Sequence, residues 1–166
     1  YWPGPLTMIF QKSDLVPHGT TGGLDTVAVR MPDHPIARDL ILAGGGYISA
    51  PSANTSGRPS PTTAQHVEED LTGKIDMIVD GGPVDIGVES SILDVTVDPP
   101  MILRPGAITK EMFEGVVGTV AVDHTLIKPD SKEVPKAPGM KYRHYAPKAQ
   151  LTVVEGDTDA VVNYIN

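Results

Sequence analysis

The segment Pro51-Ser52-Ala53-Asn54-Thr55-Ser56-Gly57 places hydroxyls, an amide and a glycine within seven positions. Such groups, with free backbone N–H donors, can surround an anion. The same residues also build ordinary solvated turns. Arg30 closes one apolar run and Arg104-Pro105-Gly106 follows another. Proline fixes the turn and glycine lets backbone approach, which would hold the Arg104 guanidinium in place. A guanidinium suits two-point recognition of phosphate or carboxylate. A charge at the position of Arg30 marks either a cleft or a surface ion pair. Glu89-Ser90-Ser91 precedes a further apolar run and says little alone. Met140-Lys141-Tyr142-Arg143-His144-Tyr145-Ala146-Pro147 combines two tyrosines, a histidine and two cations. It reads either as a tether or as a flap that closes over an anionic ligand and excludes water.

Several familiar devices are missing. The chain has no GxxxxGK[ST], no GxGxxG after a strand and no GxSxG. There is no cysteine, so disulfides, thiolate zinc sites and cysteine nucleophiles are excluded. His18, His34, His66, His124 and His144 form no HxxxH or HExxH pair. A metal cage built from protein ligands alone is not expected.

The elements that must position these groups follow from local patterns. Strands are expected at Leu6–Phe10, Thr26–Met31, Tyr47–Ala50, Met77–Asp80, Ser90–Val95, Met101–Leu103 and Val120–Val122. A helix opens at Asp33-His34-Pro35, with the proline suited to its first turn, and stops at Gly44-Gly45-Gly46. Thr62 and Gln65 have capping-box spacing for a helix to about Leu71. Thr109 caps another to about Val116. Several strands follow one another directly, which favours a mixed sheet with helices over strict alternation.

The 166 residues suit one domain, or one domain and part of a second. The 17 glycines and 16 prolines imply short elements and many shaped loops. Residues 1–125 hold 7 Lys and Arg against 16 Asp and Glu, whereas residues 126–150 hold 6 against 2. That middle block also carries Pro129, Pro135, Pro138 and Pro147, and is expected to be a linker. Residues 151–166 suggest a strand over Leu151–Glu155, then a helix from Asp157. The formal net charge of −8 disfavours a nonspecific nucleic-acid coat. No apolar run reaches the ~18 residues of a membrane span, so no membrane partner and a cytoplasmic location are expected.

Six segments in order resemble one family. They are Pro3-Gly4-Pro5-Leu6-Thr7, Thr26-Val27-Ala28-Val29-Arg30-Met31-Pro32, Ser49 through Gly57, Glu89-Ser90-Ser91-Ile92-Leu93-Asp94, Arg104-Pro105-Gly106, and Pro138 through Pro147. Together they resemble the L-threonylcarbamoyladenylate synthases of the two-domain Sua5 type, over nearly the whole chain. The resemblance implies a YrdC-like α/β fold: a twisted mixed, mostly parallel sheet with flanking helices. It implies residues 1–125 as the C-terminal part of a catalytic domain, 126–150 as linker or flap, and 151–166 as the beginning of a second α/β domain.

The implied reaction joins L-threonine, bicarbonate and ATP into threonylcarbamoyl-AMP with release of pyrophosphate. A tRNA threonylcarbamoyl transferase complex would use the product for N6-threonylcarbamoyladenosine at tRNA position 37. By matched position, Thr26, Ser52, Asn54, Ser60 and Arg104 would lie on the ATP side. Tyr142, Arg143, His144 and Tyr145 would close over the nucleotide. Arg30 would pair with the threonine carboxylate, and Ala50, through its backbone, and Ser90 would line the threonine pocket. No protein nucleophile is needed. Mg²⁺ would ride on the triphosphate rather than in a protein cage. The family's KxR motif falls upstream of the PGPLT turn, so this chain is expected to lack the N-terminal half of that domain and to be impaired or inactive alone. The alternatives are an RNA-binding module of the same fold with weak RNA or tRNA contact, an inactive fragment, and the carbamoyl-transferring domain of hydrogenase-maturation factors. The last carries zinc-finger cysteines that are absent here.

Overall fold

The computed structural model describes residues 1–124 and 152–165. Its elements run β1 (Leu6–Gln11), β2 (Thr26–Arg30), α1 (Pro35–Ala43), α2 (Ala64–Leu71), β3 (Ser91–Asp94), β4 (Met101–Arg104), α3 (Lys110–Val117), β5 (Ala121–Val122) and α4 (Thr158–Ile165). The strands form one sheet in the order β2-β1-β3-β4-β5. β1 is antiparallel to β2 and parallel to β3. β4 is antiparallel to β3 and parallel to β5. The mixed sheet with helices is as expected. Among the described residues, however, parallel pairing does not predominate, since the ladders divide evenly between the two kinds.

The period-two pattern of the strands sorts neighbouring residues onto opposite faces. Leu6, Leu93 and Ile102 share one cluster with Ile108, Phe113 and Val120, against which Trp2 and Met8 pack. Ile9, Ile92 and Leu103 form the other cluster. β3 is buried along its whole length, as befits the central strand. Phe113 carries α3 into the first cluster, and burying such a side chain stabilises by about 1.5–3 kcal/mol. The Tyr1 ring meets Phe113 edge-on at 6.1 Å between centroids, and its hydroxyl donates to the Met112 carbonyl at 2.9 Å. The N-terminal turn is thereby fixed against α3.

α3 starts where expected. Thr109 is extended, and its hydroxyl accepts from the Met112 N–H. Glu111 in the same turn has its carboxyl held below the usual range, first by a backbone hydrogen bond and then by the Thr109 hydroxyl. A lowered carboxylate pKa favours the fold at neutral pH. That contribution fades as pH falls through the folded-state value. Replacing Thr109 with alanine should cost about 1 kcal/mol in urea denaturation at pH 7.

Three expectations fail, for one reason. Tyr47–Ala50 and Met77–Asp80 form no strands, and residues 152–155 form none either. Tyr47 is 86% exposed and Met77 77% exposed. An apolar run becomes a strand only when a neighbour accepts its backbone hydrogen bonds, and these runs pair with nothing among the described residues. The α2 cap is displaced by one residue. Thr63 rather than Thr62 accepts from the His66 N–H, and the Thr62 hydroxyl meets the His66 ring at Nδ1.

Candidate functional site

Two groups of polar residues stand out, one on the sheet and one on a braced loop. On the sheet, Thr7 of β1 lies opposite Arg30 of β2 and opposite Ile92 of β3. Ile92 in turn lies opposite Arg104 of β4. One row across four strands thus ends in an arginine at each side. Ser90, just before β3, ties the row together. Its hydroxyl lies 2.7 Å from the Thr7 hydroxyl. Arg104 donates from Nε to the Ser90 carbonyl at 3.0 Å and from Nη2 to the Ser90 hydroxyl at 3.1 Å. Ser90 is buried, whereas Arg30 is exposed.

The turn after β4 is stitched to the start of β3. Ser91 donates its hydroxyl to the Ile108 carbonyl at 2.7 Å and accepts from the Ile108 N–H at 3.0 Å. Between them passes Gly106. A Cβ there would lie 2.6 Å from the Glu89 carbonyl oxygen and 2.6 Å from the Ser91 nitrogen. Glycine is required by this close approach, and it brings Arg104 against Ser90.

Thr26 and Arg30 are four residues apart on β2, so they share a face, separated by about 13 Å at 3.3 Å per residue. Thr26 pairs with Gln11 at the opposite end of the strand.

The second group is the 50–60 loop. Ala50 and Ser52 are exposed, and Asn54 and Ser60 are half-buried. The Asn54 side-chain amide donates to the Thr55 carbonyl at 3.2 Å and to the Arg58 carbonyl at 3.1 Å. Two carbonyl acceptors fix which end of the amide is nitrogen. Asn54 Oδ1 is buried and has no hydrogen-bond partner among the described residues. The chain turns at Gly57 with φ of +86°, in the left-handed region. Asp70 of α2 holds the loop from outside: it accepts from the Thr55 N–H at 3.1 Å and pairs with the Arg58 guanidinium.

Of the residues singled out in the sequence, the structure joins Ser90 and Arg104 directly and sets Arg30 on their row. It gathers Ala50, Ser52, Asn54 and Ser60 on one loop. Tyr142, Arg143, His144 and Tyr145 lie outside the described residues. Two contributors were missed. Thr7 falls in the Pro3–Thr7 segment but carries no distinguishing pattern of its own. Asp70 ends the run Glu68-Glu69-Asp70, which looks like a solvated acidic face. Among the described residues, no group of three or more His, Cys, Asp or Glu side chains is arranged to hold a metal. Nor is any helix long and apolar enough to cross a membrane. The arrangement offers hydroxyl, guanidinium and backbone donors, which suit anionic oxygens.

Comparison with known proteins gives the following. The family model Sua5_yciO_yrdC, described as telomere recombination, matches residues 1–106. A model described as the threonylcarbamoyl-AMP synthase C-terminal domain matches residues 108–165. Ile108, Phe113 and Val120, within the second range, nevertheless share a core with Leu6 and Leu93 of the first. The chain is 55% identical to a threonylcarbamoyl-AMP synthase of Pyrococcus abyssi (strain GE5 / Orsay), over 97% of this chain and 47% of that protein. It is 53% identical to one of Bacillus subtilis (strain 168), over 99% of this chain and 47% of that protein. It thus spans under half the length of these relatives. A crystal structure of P. abyssi Sua5 complexed with L-threonine superposes with a TM-score of 0.92 at 53% identity, covering 99% of this chain and 48% of that one.

Proposed function

The chain belongs to the Sua5/YciO/YrdC family, and on that premise we propose that its protein is a threonylcarbamoyl-AMP synthase. In this reading the threonine amine attacks bicarbonate, a C–N bond forms and water leaves, giving a carbamate. A carbamate oxygen then attacks the α-phosphate of ATP. The bond from that phosphorus to the bridging oxygen breaks, and pyrophosphate departs. The observation that carries the reading is the row of Arg30, Thr7 and Arg104 with Ser90 bonded into it. Its support is the similarity to a P. abyssi protein crystallised with L-threonine.

Arg30 holds the threonine carboxylate, and Ser90 and the Ala50 backbone line the same pocket. Ser52, Asn54 and Ser60 meet ATP on the loop side, with Thr26 and Arg104. The chemistry brings two anions together, so fixed cations and hydroxyl donors must offset their repulsion. Proximity supplies the rest, without a covalent enzyme intermediate. Magnesium is carried by the triphosphate and lowers its charge when bound. The protein donors named here are hydroxyls, an amide and a guanidinium, suited to phosphate oxygens. Tyr142, Arg143, His144 and Tyr145 close over the nucleotide from the 126–150 segment, protecting a carbamate that water would destroy.

The catalytic domain in this proposal extends to residue 125, supported by the core that α3 shares with β1 and β3. Residues 151–166 begin the next domain. The product passes to a tRNA threonylcarbamoyl transferase complex in the cytoplasm. The test is pyrophosphate release from ATP by the protein at its natural length. The expected result is release that requires both threonine and bicarbonate. Release indifferent to threonine, or none, overturns the reading.

A further inference from the structure

We infer that Asp70 is a positioning residue that sets the shape of the Ser52–Ser60 loop for its anionic ligand; this rests on the nucleotide role proposed for that loop. Asp70 is the sole buried residue of α2. Helices usually dock through an apolar stripe. This one instead turns a carboxylate inward, toward the loop.

Every described contact of Asp70 serves that loop or the end of its own helix. Oδ2 accepts from the Thr55 N–H at 3.1 Å, and Oδ1 takes the Arg58 guanidinium. Its backbone carbonyl accepts from the Thr55 hydroxyl at 3.3 Å and from Lys74 Nζ at 2.9 Å. Thr55 is therefore gripped at both its amide and its hydroxyl. Asn54 completes the clip, bridging the Thr55 and Arg58 carbonyls with one amide group. Residues 54–58 become a braced turn, and Ser52 and Ser60 flank it. Asp70 itself contacts neither serine. A carboxylate of this kind acts on the ligand only through the loop it holds. Of this pair only Asp70 is buried, while the Arg58 side chain is half exposed. Removing the arginine therefore leaves a buried carboxylate without its charge partner, and removing the carboxylate frees the Thr55 N–H and the loop it fixes.

The test compares unmodified protein with Asp70→Asn and Arg58→Gln, at natural length. Asn keeps the size but presents an N–H₂ group toward donors. Asp70→Asn should raise KM for ATP on the order of tenfold and leave KM for threonine and kcat within about twofold, as loss of a charge-assisted hydrogen bond in the loop requires. Arg58→Gln should move the same parameter in the same direction. Equal rises in both KM values, or no rise, overturn the positioning role. Amide hydrogen exchange provides a readout independent of activity. In Asp70→Asn the Thr55 amide should exchange faster on the order of tenfold, while the amides of β1 and β3 keep their protection. If the unmodified protein releases no pyrophosphate, the proposed reaction fails and exchange alone decides. A Thr55 amide that exchanges as before then overturns the inference.

Discussion

Gly106→Ala will destabilise the sheet domain by about 1–3 kcal/mol, the range for forcing extra atoms into a packed site. The added Cβ would sit 2.6 Å from the Glu89 carbonyl oxygen, 2.6 Å from the Ser91 nitrogen and 2.8 Å from the Ser91 hydroxyl oxygen. Two of those three are backbone, so no side-chain rotation relieves the clash. The turn must lift off the start of β3, and the Ser91–Ile108 hydrogen bonds at 2.7 and 3.0 Å must lengthen. Ile108 lies in the core cluster with Phe113 and Val120, so the disturbance reaches α3 and the residue just before β5. Arg104 is two residues before the turn, and its two bonds to Ser90 should weaken with it. Urea denaturation gives the stability loss. Gly115→Ala is the matched control. Gly115 lies inside α3 with nothing within 4 Å of a built Cβ. Alanine there should stabilise by about 0.5–1 kcal/mol, because helix formation then costs less backbone entropy. Equal effects at the two glycines would refute the close-approach argument.

Arg30→Ala separates binding from folding in the opposite way. Arg30 is exposed at the end of β2, which is an edge strand of the described sheet. Exposed substitutions away from packed features usually stay within about 0.5 kcal/mol, so its unfolding curve should scarcely move. Its row partner Thr7 reaches Ser90 at 2.7 Å, so Arg30 stands in register with the hydroxyl of the serine proposed to meet threonine. Loss of a charged hydrogen bond to a substrate carboxylate should lower kcat/KM for threonine on the order of a hundredfold. Arg30→Lys should recover part of this at best, because an ammonium cannot make the two-point contact of a guanidinium. Steady-state pyrophosphate release with threonine varied at saturating ATP checks it. A variant with unchanged threonine dependence would remove Arg30 from the pocket.

Local sequence determined what depends on near neighbours. The apolar runs of β1, β3 and β4 marked these segments as strands. Pro35 and Thr109 marked helix starts, because a first-turn proline and a capping hydroxyl act within a few residues. The chemical types at Arg30, Ser52, Asn54 and Arg104 were legible as anion-binding material, Ser90 only through the family resemblance, which the order of the segments along the chain carried. Only the tertiary structure decided which of them meet. Ser90 touches Thr7 across 83 residues of chain because β1 pairs in parallel with β3, a register no local pattern encodes. Tyr47–Ala50 and Met77–Asp80 have strand-like composition without a strand's partner. Asp70, one of three consecutive acids, was distinguished from its neighbours only by burial beneath the loop it holds. Propensity and capping are short-range. Pairing, burial and the meeting of side chains are settled by the whole chain.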